Sequence, residues 1–173
     1  MSVPSEWSQP GLEAEGFTGF VPFAALPDAD VPRDAGIYVV LSNESPKFLD
    51  ASVAGRFKGR NPGVPVQELR EAWVEGATIV YIGKAGPGKR GNRGVRTRLN
   101  EFAKFGNGQP VGHWGGRYIF QLGHSERLLV CWKATPGEDV GDIEATMIRS
   151  FVSVYGKRPF ANRNAGRGAT ELQ

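Results

Sequence analysis

Two short runs constrain this chain more than any other feature: GIYVV at residues 36–40 and IVYIG at residues 79–83. Both are dense in β-branched and aromatic residues, which suit a pleated, half-buried surface better than a helix. A strand alternates its side chains with a period of two. Gly36 and Tyr38 therefore share one face, and so do Tyr81 and Gly83. If the two strands pair, Tyr38 and Tyr81 lie side by side, with the glycines leaving room for a bulky ligand. A buried phenol needs a hydrogen-bond partner, and two adjacent phenols can orient a water molecule or take its proton. Tyrosines are also common in strands simply as packing residues.

The rest of the pattern is that of one α/β protein of the α+β type. It predicts a small, mostly antiparallel central sheet of about three strands flanked by helices. Residues 1–16 are polar and acidic and read as a flexible N-terminal segment. Residues 17–173 read as a single domain with an insertion at about 43–76. Residues 17–35 hold apolar residues and prolines, consistent with one short edge strand and a loop. Residues 43–66 have no clear period and form a long loop, followed by a short helical pattern, QELREAW. RGVRTRLNEFAKFG predicts an amphipathic helix ended by Gly106. RYIFQL and RLLVCWK read as strands. The longest helix begins at Asp139 or Asp142 as cap and stops at Gly156.

The chain has 173 residues, enough for one sizeable core, and 40% of them are hydrophobic. No apolar run is long enough to cross a bilayer, and the N-terminus lacks the pattern of a secretory signal. The single cysteine, Cys131, excludes an internal disulfide. Together these features predict a cytoplasmic setting with no membrane partner. Net charge is only +3, but its distribution is uneven. Between residues 84 and 104, Lys84, Lys89, Arg90, Arg93, Arg96, Arg98 and Lys104 face one acid, Glu101. Such clusters attract polyanions, above all nucleic-acid phosphates, although a solvated helix face has the same composition.

On the helix at 93–105, Val95, Leu99 and Phe102 form an apolar stripe, with Arg96 and Arg98 on its opposite flanks. Both guanidinium groups belong at the rim where helix meets sheet, a place to snorkel or to hold a phosphate. On the long helix, Ile143, Met147, Ile148, Phe151, Val154 and Tyr155 make a broad apolar arc, and Glu144 falls inside it. A carboxylate there is costly unless it is paired or binds a metal; a first-turn glutamate bent out to water is the plainer reading.

Taken in order, GIY, YIG, RTRL, ExxMI and PFAN resemble the GIY-YIG nuclease family, over residues 36 to 162. The resemblance implies Tyr38 and Tyr81 as the paired tyrosines, Lys84 as the lysine after the second motif, and Arg98 as the catalytic arginine, with Arg96 as its fallback. It implies Glu144 as the metal-binding glutamate for Mg2+ or Mn2+, and Asn162 as the asparagine near the end, with Asn164 as its competitor. The implied activity is hydrolysis of phosphodiester bonds in DNA, duplex or branched. A tyrosine or the water near it would supply the nucleophile. Many members place a tyrosine or histidine one helical turn after the arginine, where this chain has Phe102. The spacing between the two tyrosine motifs is also longer than in the family, and the GPGKRGN turn separates the second motif from its arginine.

Further candidates lie in the loops. Lys58 and Arg60 in the insertion offer phosphate contacts, as do Arg93 and Arg96 on the basic helix, so residues 43–66 read as a substrate-facing flap. GHWGGRYIF concentrates His113, Trp114 and Arg117 between glycines. Trp114 reads as a base-stacking or a packing residue, Arg117 as a phosphate contact, and His113 as a replacement proton carrier. His124 reads as a surface loop residue. Two other functions remain compatible with the sequence: a catalytically inactive nucleic-acid-binding module, and a basic protein-interaction domain.

Overall fold

The computed structural model describes residues 3–163. Its core is an open, four-stranded antiparallel sheet in the order β1-β4-β2-β3, one strand more than the pattern predicts. The strands are β1 (Thr18–Pro22), β2 (Gly36–Leu41), β3 (Ile79–Ala85) and β4 (Leu129–Ala134). The helices are α1 (Gln9–Ala14), α2 (Val66–Ala72), α3 (Val95–Gly106) and α4 (Val140–Tyr155). β2 is central and fully buried, as its unbroken run of apolar residues requires.

Alternation along the strands divides the core in two. Tyr38, Val40, Tyr81, Val130 and Trp132 pack on one side with Val95, Leu99 and Phe102 of α3. Ile37, Val39, Ile82 and Cys131 pack on the other with Met147, Ile148 and Phe151 of α4. Asp139, rather than Asp142, caps α4, accepting from the N–H groups of Gly141 at 2.7 Å and Asp142 at 3.2 Å. Gly156 ends it in the left-handed region. Val154 is exposed and does not belong to the apolar arc. Among the described residues, no helix is long and apolar enough to cross a membrane.

The structure corrects three sequence expectations. The N-terminal segment is packed rather than frayed: Ser8 caps α1, Leu12 is buried, and Trp7 meets Phe151 edge-on at 5.3 Å. RYIFQL forms a 3-10 turn at Ile119–Gln121 instead of a strand. Its apolar residues pack into the α3 side of the core, where Phe120 comes so close to Gly106 that a β-carbon there would lie 2.2 Å from the ring. Tertiary packing overrides β-propensity in this segment.

Residues 43–66 are stitched to the body rather than held out as a flap. Phe48 bridges to Leu122, and Gly55 donates to the Phe105 carbonyl at 2.8 Å. The buried Gln121 amide donates to the carbonyls of Leu49 and Val64 and accepts from the Val64 N–H. Deleting residues 52–64 would strand these groups in the interior, each at a cost of ~1–3 kcal/mol. We expect the deletion to lower the urea unfolding midpoint strongly or abolish cooperative unfolding; a midpoint within error of wild type would show that the segment is not structural.

Candidate active site

The β2–β3 register sets the site. Tyr38 lies opposite Gly83, and Val40 opposite Tyr81, so the tyrosines are diagonal neighbours on one face. Their ring centres are 5.9 Å apart. The glycines make room for the protein itself and not for a ligand. A β-carbon at Gly83 would lie 2.3 Å from Tyr38 Cζ, and one at Gly36 would lie 2.2 Å from the Lys133 carbonyl oxygen. Both phenols are covered: Tyr38 is 0% and Tyr81 7% exposed. The loop after α3 roofs them, and a β-carbon on Gly115 would stand 3.1 Å from the Tyr81 hydroxyl.

α3 delivers the arginine. Its buried stripe of Val95, Leu99 and Phe102 turns Arg98 toward the phenols. Arg98 Nη1 donates to the Gly112 carbonyl at 3.3 Å and lies 3.4 Å from Glu101. Burial works against the guanidinium charge, but Tyr38, Tyr81 and Glu101 outweigh it and raise the Arg98 pKa. Burial pushes Tyr38 well above its ordinary value, and Tyr81 adds to this, against the pull of Arg98. Burial also raises Tyr81; Arg98 opposes this and the charge of Glu144 reinforces it. Arg96 sits on the opposite flank, donating to the Val31 carbonyl at 2.7 Å and pairing with Asp30 at 3.2 Å. That tether removes it as a substitute for Arg98.

His113 fills the gap left by Phe102. The imidazole is fully buried and stacks on the Phe102 ring at 4.0 Å with an interplanar angle of 10°. Its Nε2 lies 3.4 Å from the Tyr38 hydroxyl, while Nδ1 is buried without a hydrogen-bond partner. Burial, reinforced by Arg98, holds its pKa well below the usual histidine range. The contact crosses 75 positions of sequence, and the hint to it in the sequence is Phe102 where the resembled family has a tyrosine or histidine.

On the α4 side, Glu144 is buried to 9% exposure, and its carboxylate pairs with Lys84 Nζ at 2.7 Å. Next to this pair opens a cleft of ≈600 Å³ between the loop after β3, α3 and the start of α4. Lys84, Arg93, Arg98, Asp139 and Asp142 line it. Arg93 is held by Glu101 at 2.6 Å. Among the described residues no cluster of three or more His, Cys, Asp or Glu side chains forms a ready-made metal cage. Glu144, through Lys84 next to a cleft that Asp139 and Asp142 also line, is a hard oxygen donor of the kind a divalent ion takes with water as its other ligands.

Asn162 serves the backbone. Its Oδ1 accepts from the Ile82 N–H at 2.9 Å, and its Nδ2 donates to the Ile82 carbonyl at 2.8 Å. It thereby closes the edge of β3 beside Tyr81 and is a positioning residue. Asn164 lies outside the described residues. Lys58 and Arg60 are exposed next to Phe57, whose ring would stand 3.4 Å from a β-carbon at Gly112. They therefore flank the loop that receives Arg98. The Arg117 guanidinium lies 5.1 Å from the Trp114 ring centre and 5.8 Å from that of Tyr118. His124 is buried and 3.0 Å from Ser42 Oγ, so it is not a surface residue.

No protein-family model matches the chain, and neither curated proteins nor solved structures yield a match.

The buried imidazole makes a pH prediction. Unfolded, His113 takes up a proton near its ordinary pKa of about 6.5; folded, it stays neutral to a lower pH. The unfolded state thus binds more protons in that window, and stability falls as pH drops below about 6.5 toward the depressed folded value. Thermal unfolding across this range should show a shallower acid decline in His113→Gln than in wild type. Parallel curves would show that His113 titrates normally in the fold.

Proposed function

We propose that this protein is a metal-dependent endonuclease of the GIY-YIG type, hydrolysing phosphodiester bonds in DNA. One observation carries the reading: Arg98 acts on both buried phenols, Tyr38 and Tyr81, and lines one cleft with Lys84, whose Nζ pairs with the Glu144 carboxylate at 2.7 Å. The family resemblance names the same residues. Glu144 would hold the divalent ion, and Lys84, paired with it at 2.7 Å, fixes the position of that carboxylate. When bound, the ion supplies Lewis-acid polarisation of the phosphoryl oxygen. Arg98 offsets the negative charge that develops on the phosphate. Lys58, Arg60, Arg93 and Arg117 supply positive charge around the cleft for the DNA backbone.

The raised pKa values keep both phenols protonated at neutral pH. They act as neutral donors and acceptors, orienting the attacking water. The Tyr38 hydroxyl lies 3.4 Å from His113 Nε2; burial and Arg98 disfavour the imidazolium, so His113 positions Tyr38 rather than carrying the proton.

The complete burial of Tyr38 favours a second reading, in which the domain binds nucleic acid without cutting it. Plasmid incubated with Mg2+, against an EDTA control, separates the two. Glu144→Gln should reduce cleavage by a factor on the order of 10²–10³ while DNA binding in EDTA persists. Arg98→Ala should abolish cleavage and also weaken binding. A wild-type protein that shifts DNA in a gel yet leaves plasmid intact in Mg2+ supports the second reading. A Glu144→Gln protein cutting at the wild-type rate removes Glu144 from the site.

A further inference from the structure

The stretch YGKRPFANR, residues 155–163, holds three cations that the catalytic reading leaves unused. The segment is held firmly. Gly156 ends α4 at φ 70°, and Ala161 donates its N–H to the Val80 carbonyl at 2.8 Å. The Asn162 amide then clamps Ile82. The chain therefore docks on the free edge of β3 by a turn, in which Asn162 donates its N–H to the Pro159 carbonyl at 2.8 Å. Together with Ala72 and Tyr118, it walls a cleft of ≈500 Å³ whose rim carries Lys157, Arg158 and Arg163.

Among the described residues, no carboxylate lines this cleft. Lys157 Nζ donates to the Glu71 carbonyl at 3.2 Å, and Arg158 Nη1 donates to the Arg163 carbonyl at 2.6 Å. These bonds orient the head groups without neutralising their charge. Arg163 reaches its nearest carboxylate, Glu68, only at 3.9 Å. Its guanidinium lies 5.7 Å from the centre of the Tyr118 ring, and that of Arg117 lies 5.8 Å from the same ring. Arg117 has no ion-pair partner among the described residues, and its Nε is buried without a hydrogen bond. Here Lys157, Arg158 and Arg163 converge on a concavity, and Glu68, bonded to the Tyr118 hydroxyl and 3.9 Å from Arg163, is the one carboxylate paired with them among the described residues. Such a surface is complementary to phosphate.

The geometry points to this cleft as a second backbone subsite, which holds the phosphates of the DNA strand beyond the catalytic cleft. This rests on the nuclease reading above. The catalytic cleft meets β3 at Lys84, and this one meets it through Asn162 at Ile82. The catalytic cleft lies at the start of α4 and this one at its end, so a DNA strand that occupies both runs the length of α4.

The test is binding of a short labelled DNA duplex in EDTA, by fluorescence anisotropy over a salt series. Lys157→Gln/Arg158→Gln removes two charges from the rim. The slope of log Kobs against log[salt] should shrink by about 1.8, at roughly 0.9 for each duplex phosphate that the protein no longer neutralises. The charge-preserving pair Lys157→Arg/Arg158→Lys should keep the wild-type slope, which separates charge from folding. DNA binding with an unchanged slope in the glutamine variant would overturn this subsite and leave the nuclease reading standing. An equal reduction of slope in the charge-preserving pair would overturn it as well. No DNA binding by wild-type protein at any salt concentration would overturn both.

Discussion

The antiparallel pairing of β2 with β3, with Tyr38 facing Gly83, is the contact on which the rest of the molecule depends. A slip of β3 by one residue would turn Tyr81 to the α4 side of the sheet and part it from Tyr38. It would also drive a side chain into the space that the Tyr38 ring occupies. The absence of a β-carbon at Gly83 thus fixes register and places the phenol in one step. Arg98, His113 and Phe102 then gather around that phenol, and the sheet edge beyond it is where the two cationic clefts open.

Charge in the site is arranged by burial as much as by proximity. Two phenols with raised pKa values, a neutral imidazole and a guanidinium share one enclosed space. Only Arg98 carries charge there, and its excess is answered by Glu101 and the Gly112 carbonyl. The carboxylate of Glu144 stands on the far side of β3, held by Lys84. Glu144 therefore does not pair with Arg98, whose own carboxylate partner is Glu101.

Much of the fold was legible because local rules govern it. β2 and β3 follow from β-branched runs, α4 from its apolar arc, its Asp139 cap and its Gly156 stop. Helical periodicity places Glu144 within the apolar arc, but not whether its side chain bends out to water; the structure buries it against Lys84. Readings failed where a segment's neighbours, and not its own composition, decide its conformation. RYIFQL is strand-like in content but turns because Phe120 packs against Gly106 and the α3 side of the core. The glycine- and proline-rich insertion looks free in sequence, yet Gln121 pins it through three hydrogen bonds. The polar N-terminus docks because Trp7 finds Phe151.

Sequence by itself determined which residue types could meet: two strand tyrosines on a glycine-flanked face, a basic helix with an arginine on either flank, and a carboxylate within an apolar arc. Period and propensity are properties of a single segment, so they need no partner to be read. Tertiary structure decided which arginine faces the phenols, since Arg96 is drawn away by Asp30 and the Val31 carbonyl 65 positions earlier. It also decided that His113 stacks on Phe102 and reaches Tyr38, and that Asn162 closes the edge of β3 at Ile82, 80 positions away. Those assignments are contacts between remote segments, set by how the helices and loops pack on the sheet, and no local pattern carries them.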